Sequence, residues 1–211
     1  DSSAVENFSV TLKTGRIVTL LGANGSGKST IGKIAAGLIQ PSAGSVKLNG
    51  NPLTAGWNGI GFMFQYPDDQ FVTSTVEAEL AFGLENLMIK SSEINNSVEE
   101  GLQRFKLLPL RVRSPEQLSD GQRQLVALVS VILMRPKFLI LDEAVSYLDW
   151  GWQEAIWRTI KNLATDMGVL WLTTRTSEAL RADDVCLMNE GKLVGGGEPG
   201  STLKTFNPEH Y

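Results

Sequence analysis

The sequence predicts an α/β protein with a mainly parallel sheet, an antiparallel β portion and an inserted α-helical subdomain. Three observations predict this fold class. Strand-like apolar runs alternate with helical patterns, a glycine-rich turn joins the first strand to the first helix, and a long helical block interrupts the alternation. With 211 residues, 42% of them hydrophobic, the chain can form one domain. We expect residues 1–72 and 135–211 to form its core and 73–134 to form the helical subdomain.

The first elements surround the glycine-rich turn. Residues 15–22, GRIVTLLG, form a continuous β-branched and leucine run that predicts a buried strand. The pattern GKSTIGKIAAGL predicts a helix over 27–38, and glycines bound two further short strands at 44–50 and 59–65.

Three helices are predicted in the interrupting block. The first begins at STVEAEL, where Ser74 and Glu77 match a capping box. The residues expected on its buried face are Val76, Leu80, Leu84, Leu87 and Met88. The second helix covers about 92–106 after Ser91 and Ser92, and the third covers 119–134.

The remaining elements restore the alternation of strands and helices. The predictions are a strand at 137–143, a helix at about 150–165 and a strand at 168–174. A terminal hairpin is expected to turn at Glu190 and Gly191, which would add the antiparallel portion.

Charge and composition exclude several classes of protein. A net charge of -4 argues against nucleic acid as a partner. The single cysteine, Cys186, cannot form an internal disulfide, so a reducing compartment is expected. The longest apolar run, at 125–134, is shorter than the roughly 20 residues of a spanning helix. Any membrane contact is therefore expected to come through a partner.

The strongest motif is GANGSGKST, which runs from Gly22 to Thr30 between a predicted strand and a predicted helix. It matches the phosphate-binding loop, in which glycines turn backbone N–H groups onto phosphate oxygens and the helix dipole adds to their attraction. Lys28 would reach the β and γ phosphates, and the Ser29 hydroxyl would bind Mg²⁺. A glycine-rich turn that matches by accident is the alternative, and the flanking elements disfavour it.

A second motif, FLILDEA, predicts a buried strand that ends at Asp142 and Glu143. Asp142 is suited to hold Mg²⁺ through its water shell, and Glu143 is suited to orient or deprotonate an attacking water. An acidic pair after a strand is otherwise an ordinary solvated loop, and the phosphate loop upstream favours the functional interpretation.

The third motif, LSDGQ, has a purely structural explanation, because Ser119 and Gln122 match a capping box for the next helix. A capped helix start that contains Gly121 is also an anion site. Here the chain resembles the ATP-binding cassette (ABC) family, whose signature reads Leu-Ser-Gly-Gly-Gln. The resemblance covers nearly the whole chain, and the motifs follow in the family's order.

The resemblance implies an ABC ATPase fold on a P-loop NTPase core, and it implies a role for each motif. It assigns ATP phosphates to the loop residues Asn24, Gly25, Ser26, Gly27, Lys28, Ser29 and Thr30. It assigns Mg²⁺ to Ser29, Gln65 and Asp142. It assigns catalysis to Glu143, Gln65 and the position of Thr174. It assigns the nucleotide of an opposite subunit, in a head-to-tail dimer, to Ser119, Gly121 and Gln122, with Asp149 at the dimer seam.

The stretch YPDDQF after Gln65 narrows the resemblance. It is similar to the ATPase subunits of energy-coupling factor importers, which take up cobalt, nickel and vitamins. There, two related ATPases, often non-identical, bind a transmembrane coupling subunit. The resemblance therefore implies a peripheral protein at the cytoplasmic face of a membrane. By itself, PDDQ would indicate only a turn.

Two positions depart from the family pattern. Asp120 replaces the first glycine of the signature, and we expect its side chain to point outward, away from any triphosphate. Thr174 stands where the family has its switch histidine, and a threonine carries no charge and reaches less far. Arg175 is a possible substitute, whereas the single histidine, His210, lies in the C-terminal tail.

The histidine departure leads to a hypothesis about assembly. We expect a heterodimer in which this chain's own ATP site turns over slowly and its signature serves a partner's site. Two other classes remain open. One is a nucleotide-gated module with vestigial hydrolysis, and the other is a soluble P-loop kinase or a non-transport cassette ATPase, which LSDGQ and LILDE together disfavour.

Overall fold

The computed structural model describes residues 5–53 and 56–205, which fall into two compact units. The first unit takes its residues from 1–62, 137–143 and 161–211, and the second from 63–136 and 144–160. The stretch 73–134 lies within the second unit. Among the described residues, no helix has the length and apolar character needed to span a membrane.

Within the described residues, eight strands form two sheets. In chain order they are β1 Ile17–Gly22, β2 Lys47–Leu48, β3 Asn51–Pro52, β4 Ile60–Met63, β5 Phe138–Asp142, β6 Gly168–Thr173, β7 Asp184–Asn189 and β8 Lys192–Gly197. The larger sheet has the order β4-β5-β6-β1-β7-β8, and β2 pairs with β3 alone. β1 is parallel to β6 and β7, β5 is parallel to β6, and β8 is antiparallel to β7. The predicted fold class is confirmed.

The central strands are continuously apolar because both of their faces are covered. All six residues of β1 and all six of β6 are buried, as is usual for parallel strands between helical layers. The hairpin turn between β7 and β8 is at Glu190 and Gly191, as predicted, and both residues have positive φ. The strand predicted at 44–50 is wrong in extent. Only Lys47 and Leu48 of this stretch pair, and with Pro52 and Asn51 they form a ribbon of two residue pairs.

Seven α-helices accompany the strands in the described residues. They are α1 Lys28–Ala35, α2 Val76–Asn86, α3 Ser91–Arg104, α4 Asp120–Leu133, α5 Trp150–Leu163, α6 Thr176–Ala179 and α7 Pro199–Thr205. Within the second unit, α2, α3 and α4 pack their apolar faces together. Their shared core consists of the buried residues Val76, Leu80, Leu84, Ile94, Val98, Leu102, Leu107, Leu110, Leu118, Val126 and Val129.

The start of α2 differs from the prediction by one residue. Thr75, not Ser74, caps the helix, and its Oγ1 accepts a hydrogen bond from Ala78 N at 3.2 Å. Glu77 does not complete a capping box, because with Thr75 as the cap it is the second helical residue, and its carboxylate pairs with Arg111. The buried Glu79 supports the entering chain instead, since its Oε2 accepts hydrogen bonds from the backbone N–H groups of 72 and 73.

The end of α2 corrects a second prediction. Met88, expected on the buried face, is 93% exposed. The helix ends at Asn86, and Met88 takes φ 55°, so the helical periodicity no longer applies to its side chain. The backbone N–H of Ile89 then donates to Leu84 O, which is the bond that closes a left-handed helix terminus.

This helix end yields a test of stability. Met88→Gly is expected to raise the free energy of unfolding by about 0.5–1 kcal/mol, because glycine adopts positive φ without steric cost and the exposed methionine loses no buried contact. Met88→Ala is the control, since it removes the same side chain but keeps a Cβ. Denaturant unfolding of the three proteins measures the difference, and an equal gain from alanine would contradict the backbone explanation.

Candidate functional site

The loop from Gly22 to Gly27 joins the buried strand β1 to helix α1. Gly25 and Gly27 have φ of 78° and 99°, a conformation that side-chain-bearing residues rarely adopt. Gly27 is the N-cap of α1 and offers no side chain to the first N–H groups of the helix. The loop and the helix start therefore present backbone donors to an anion, as the motif predicts.

The phosphate loop contacts strand β7 and the hairpin turn that follows it. A Cβ on Gly22 would lie 2.4 Å from Met188 O and 2.6 Å from Ser26 Oγ, so only glycine fits where the loop begins. The carbonyl of Ser26 accepts a hydrogen bond from Gly191 N at 3.0 Å. Asn24 is exposed, while Ser29 and Thr30 are half-buried in the first turn of α1.

Lys28 folds back over this loop. Its Nζ donates hydrogen bonds of 2.9 Å to Gly22 O and Ala23 O, and the side chain is buried. Burial lowers the pKa of Lys28, while the charges of Glu143 and Asp142 act in the opposite direction. The ammonium group is thus poised at the loop with its charge only partly compensated, as an approaching phosphate requires.

Ser29 and Asp142 are brought together although 113 positions separate them in the chain. The Ser29 hydroxyl donates to Asp142 Oδ1 at 3.1 Å, and Asp142 is only 4% exposed. Burial raises the pKa of Asp142, the Ser29 hydrogen bond opposes this shift, and Glu143 adds to it. A hydroxyl and a carboxylate oxygen beside a phosphate loop are the ligands that Mg²⁺ uses in nucleotide sites, so these residues fit that ion.

Glu143 follows Asp142 in a strained backbone conformation. Its φ is 48°, and its backbone N–H donates to Leu172 O at 3.0 Å. The side chain is half-buried. Left-handed conformations of non-glycine residues concentrate at functional sites, where surrounding structure imposes them. The sequence carried no signal for this strain.

Thr174 is exposed immediately after the last residue of β6. Its neighbours are held on both sides: the buried Thr173 accepts a hydrogen bond from Arg175 N at 3.0 Å, and Arg175 Nη1 lies 3.7 Å from Glu178 Oε1. Arg175 therefore directs charge towards Glu178 in this structure. His210 lies outside the described residues.

In the second unit, Gln65 is joined to two tyrosines. Its Nε2 donates to Tyr147 Oη at 3.2 Å, and the hydroxyls of Tyr66 and Tyr147 are also 3.2 Å apart. The two rings stack with centroids 5.6 Å apart. Sequence reasoning found Gln65 but missed Tyr147, because nothing local connects residues 82 positions apart.

The signature motif begins α4 as predicted. Ser119 N donates to Gln122 Oε1 at 3.0 Å, and Gln122 N donates to Ser119 Oγ at 3.4 Å, which is the capping box. Asp120 points outward, as expected: its side chain is 71% exposed and pairs with Arg123. An ion pair one turn along the helix thus accounts for the acid in the signature.

Gly121 is buried beneath the indole of Trp152. A Cβ on Gly121 would lie 2.3 Å from Trp152 Cδ2, so the ring lies directly against the signature backbone. Asp149 Oδ1 accepts a hydrogen bond from Trp152 N at 3.0 Å and so fixes the start of α5. The motif residues Asp149 and Gly121 are therefore connected through a tryptophan that the sequence did not mark as functional.

Comparisons with known proteins agree with this geometry. The family model for "ABC transporter" matches residues 5–146. The chain is 38% identical over 205 residues to the energy-coupling factor transporter ATP-binding protein EcfA1 of Enterococcus faecalis, covering 94% of this chain and 74% of that protein. It is 37% identical over 216 residues to EcfA of Pediococcus pentosaceus, covering 99% and 76%.

Solved structures extend the comparison to the fold. The structure of cbiO1 from Clostridium perfringens, part of the ABC transporter complex cbiONQ, superposes with a TM-score of 0.83 at 28% identity, covering 94% of this chain and 83% of that one. A dimeric, post-hydrolysis ATP-binding cassette bound to ADP and Pi superposes with a TM-score of 0.80 at 23% identity, covering 93% and 90%. This second likeness concerns the fold alone.

The sheet, the phosphate loop and the Ser29–Asp142 contact together define a P-loop NTPase. The chain belongs to the ABC transporter family, since that family's model matches more than half of it and the EcfA relatives align over most of its length. The predicted resemblance is confirmed.

Burial of Asp142 leads to a pH-dependent prediction. Because its pKa is raised, the folded protein binds a proton there more readily than the unfolded chain, so the ionised carboxylate lowers the unfolding free energy at neutral pH. Asp142→Asn, which keeps an acceptor for Ser29, is expected to stabilise the nucleotide-free protein at pH 7. The gain should shrink as pH falls and the wild-type carboxyl becomes protonated. Denaturant unfolding of the two proteins at pH 7 and pH 4 measures the gain and its decrease. Destabilisation by Asp142→Asn at pH 7 would contradict the prediction.

The contact between Gly121 and Trp152 is tested by a double-mutant cycle. Gly121→Ala is expected to lower the unfolding free energy by about 1–3 kcal/mol, because the added methyl overlaps the indole. In a Trp152→Ala background the same change should cost clearly less, since the overlapping ring is gone. Equal costs in the two backgrounds would show that the ring is not responsible.

Proposed function

We propose that this chain is the ATP-binding and ATP-hydrolysing subunit that energises a membrane importer of the energy-coupling factor type, for a metal ion or a vitamin. The observation that carries the proposal is the hydrogen bond between Ser29 and Asp142, which joins the phosphate loop to the acidic end of β5. The likeness to EcfA proteins of several organisms supports the transporter class.

Each candidate site residue of the first unit then has a chemical role. The loop amides from Asn24 to Thr30 bind the ATP phosphates, and Lys28 exchanges its two carbonyl partners for phosphate oxygens. Ser29 and Asp142 would hold Mg²⁺, which supplies a positive charge that offsets the charge of the phosphates when it is bound. Glu143 would orient or deprotonate the attacking water, and its backbone has the strained positive φ found at functional sites.

The second unit is proposed to serve partners. Residues 73–134 would form the signature subdomain, with Ser119, Gly121 and Gln122 contacting nucleotide held by a second, non-identical ATPase in a head-to-tail dimer. Gln65 would act as metal ligand and γ-phosphate sensor. A transmembrane coupling subunit would hold the pair at the cytoplasmic face of the membrane.

Thr174 supports the proposal that this chain's own site hydrolyses ATP slowly. A side chain at the position of the family's histidine must hold the attacking water, and an exposed threonine hydroxyl is shorter and uncharged. Two such sites would make a homodimer weak, whereas a heterodimer can retain one competent site.

The test is steady-state ATP hydrolysis by the purified chain alone and after addition of its partner ATPase. The chain alone is expected to be at least tenfold slower than the mixture, because each site needs the other subunit's signature. Lys28→Ala should abolish nucleotide binding, and Glu143→Gln should retain binding while hydrolysis at this site is lost. Brisk hydrolysis by the lone chain that survives Thr174→Ala would contradict the proposal.

A second candidate function is a nucleotide-gated module whose hydrolysis is vestigial. The observation that favours it is Thr174 in an exposed position with Arg175 directed to Glu178. It predicts ATP binding without turnover at this chain's site in the presence of the partner. Single-turnover hydrolysis in a mixture whose partner carries an inactivated phosphate loop separates the two functions.

A further inference from the structure

The signature motif of this chain carries a negative charge at the start of α4. Asp120 is the first residue of the helix, directly after the N-cap Ser119, and its side chain is largely exposed. The first N–H groups of a helix and its dipole attract anions, so a carboxylate at this position competes with any other anion for the same place. The residues proposed to contact a partner's nucleotide, Ser119, Gly121 and Gln122, lie directly before and after it.

Arg123 lies where it can neutralise that charge. Its Nη2 donates a hydrogen bond to Asp120 Oδ1, and the two residues are three positions apart on one face of α4. The arginine side chain is only 24% exposed, so most of its length is packed against the protein. The contact draws the carboxylate towards the second turn of the helix and away from the first N–H groups.

A second acid also holds the arginine. Asp68, in the YPDDQF stretch, has its Oδ1 3.7 Å from Arg123 Nε. The same stretch is joined to α4 by Gln70, whose Nε2 donates to Ala127 O at 2.8 Å and to Ser130 Oγ at 3.0 Å. Two different nitrogens of Arg123 therefore face two carboxylates, and residues of this chain alone set the position of the guanidinium.

We propose that Arg123 is a positioning residue that allows the signature to accept the nucleotide of the second ATPase although Asp120 is present. Arg123 contacts no nucleotide itself. It acts through Asp120, because it neutralises the carboxylate and holds it away from the first N–H groups of α4. The inference rests on the proposed role of the signature in a head-to-tail dimer, and it identifies the residue that compensates for the aspartate in LSDGQ.

Stability does not explain the Asp120–Arg123 pair. Ion pairs between side chains on an exposed helix surface contribute little to the free energy of unfolding, so Arg123→Ala should shift the denaturation midpoint only slightly. An unpaired carboxylate a few ångströms from a triphosphate, in contrast, repels every phosphate charge. The pair is therefore expected to matter for nucleotide binding.

The experiment measures steady-state ATP hydrolysis by the purified complex of this chain with its partner ATPase. This chain carries Glu143→Gln, so that turnover comes from the partner's site, which uses the signature of this chain. Arg123→Ala is expected to raise the apparent KM for ATP about tenfold and to change kcat less than twofold, because the repulsion acts on bound ATP and on the transition state alike.

Two further variants control for loss of packing and of charge in general. Arg123→Gln keeps most of the packed stem of the side chain and should raise KM as alanine does, so the test survives if alanine disturbs α4. Arg158→Ala is the matched control, since it removes an exposed arginine from α5 in the same unit and should leave KM unchanged.

Removal of each acid in turn gives the decisive comparison. In an Asp120→Asn background, Arg123→Ala should raise KM less than twofold, because no carboxylate remains to be neutralised. In an Asp68→Asn background the tenfold effect should persist, since Asp68 only helps to hold the arginine. The effect of Arg123→Ala should also shrink as salt is raised to about 0.5 M, because salt screens the repulsion, whereas a packing defect would not respond in this way.

The outcomes separate this inference from the proposed function. Unchanged KM in Arg123→Ala, or an equal effect with and without Asp120→Asn, would overturn the role of Arg123 while the dimer itself stands. Relief by Asp68→Asn in place of Asp120→Asn would also overturn it, because the arginine would then serve the YPDDQF stretch. Hydrolysis by the unmodified pair no faster than by the separate chains would contradict the proposed function, and this inference with it.

Discussion

The parallel pairing of β1, β5 and β6 is the constraint on which the candidate site depends. Because parallel strands end at the same edge of a sheet, this pairing brings together the phosphate loop after β1, Asp142 at the end of β5 with Glu143 next to it, and Thr174 after β6. The Ser29–Asp142 hydrogen bond is its direct result. Strands that are continuously buried supply the rigidity, and the candidate site residues lie at their ends or in the segments that follow them.

The site carries features that a structure optimised only for stability would lack. Asp142 and Lys28 are buried charged groups whose pKa values both shift towards the neutral form, and Glu143 has a backbone conformation that disfavours any residue with a Cβ. The surrounding apolar sheet tolerates these costs because most of its residues contribute burial alone. Binding of a phosphate and a cation would satisfy the same groups that destabilise the empty site.

The sequence predicted what depends on local pattern. Glycine spacing located the phosphate loop, apolar runs located the central strands, and Ser119 with Gln122 located the start of α4. The sequence-based prediction failed where contacts with residues distant in the chain determine the local structure. Ser74 and Thr75 are equally good caps by composition, and the contacts of Glu79 with the entering chain accompany the choice of Thr75. Contacts such as those of Trp152 with Gly121 and of Tyr147 with Gln65 join segments that no periodicity connects.

The hydrogen bond from Gly191 N to Ser26 O gives the β7–β8 hairpin a role beyond closing the sheet. The amide proton of Gly191, at the tip of the β7–β8 hairpin, is bonded to a carbonyl of the phosphate loop. Opening of the loop must therefore release that proton to solvent, and the hairpin tip becomes a place where the loop's motion is recorded in amide hydrogen exchange. A change in the length of the hairpin would shift this hydrogen bond, and so the position of the loop carbonyl, without a substitution inside the phosphate loop.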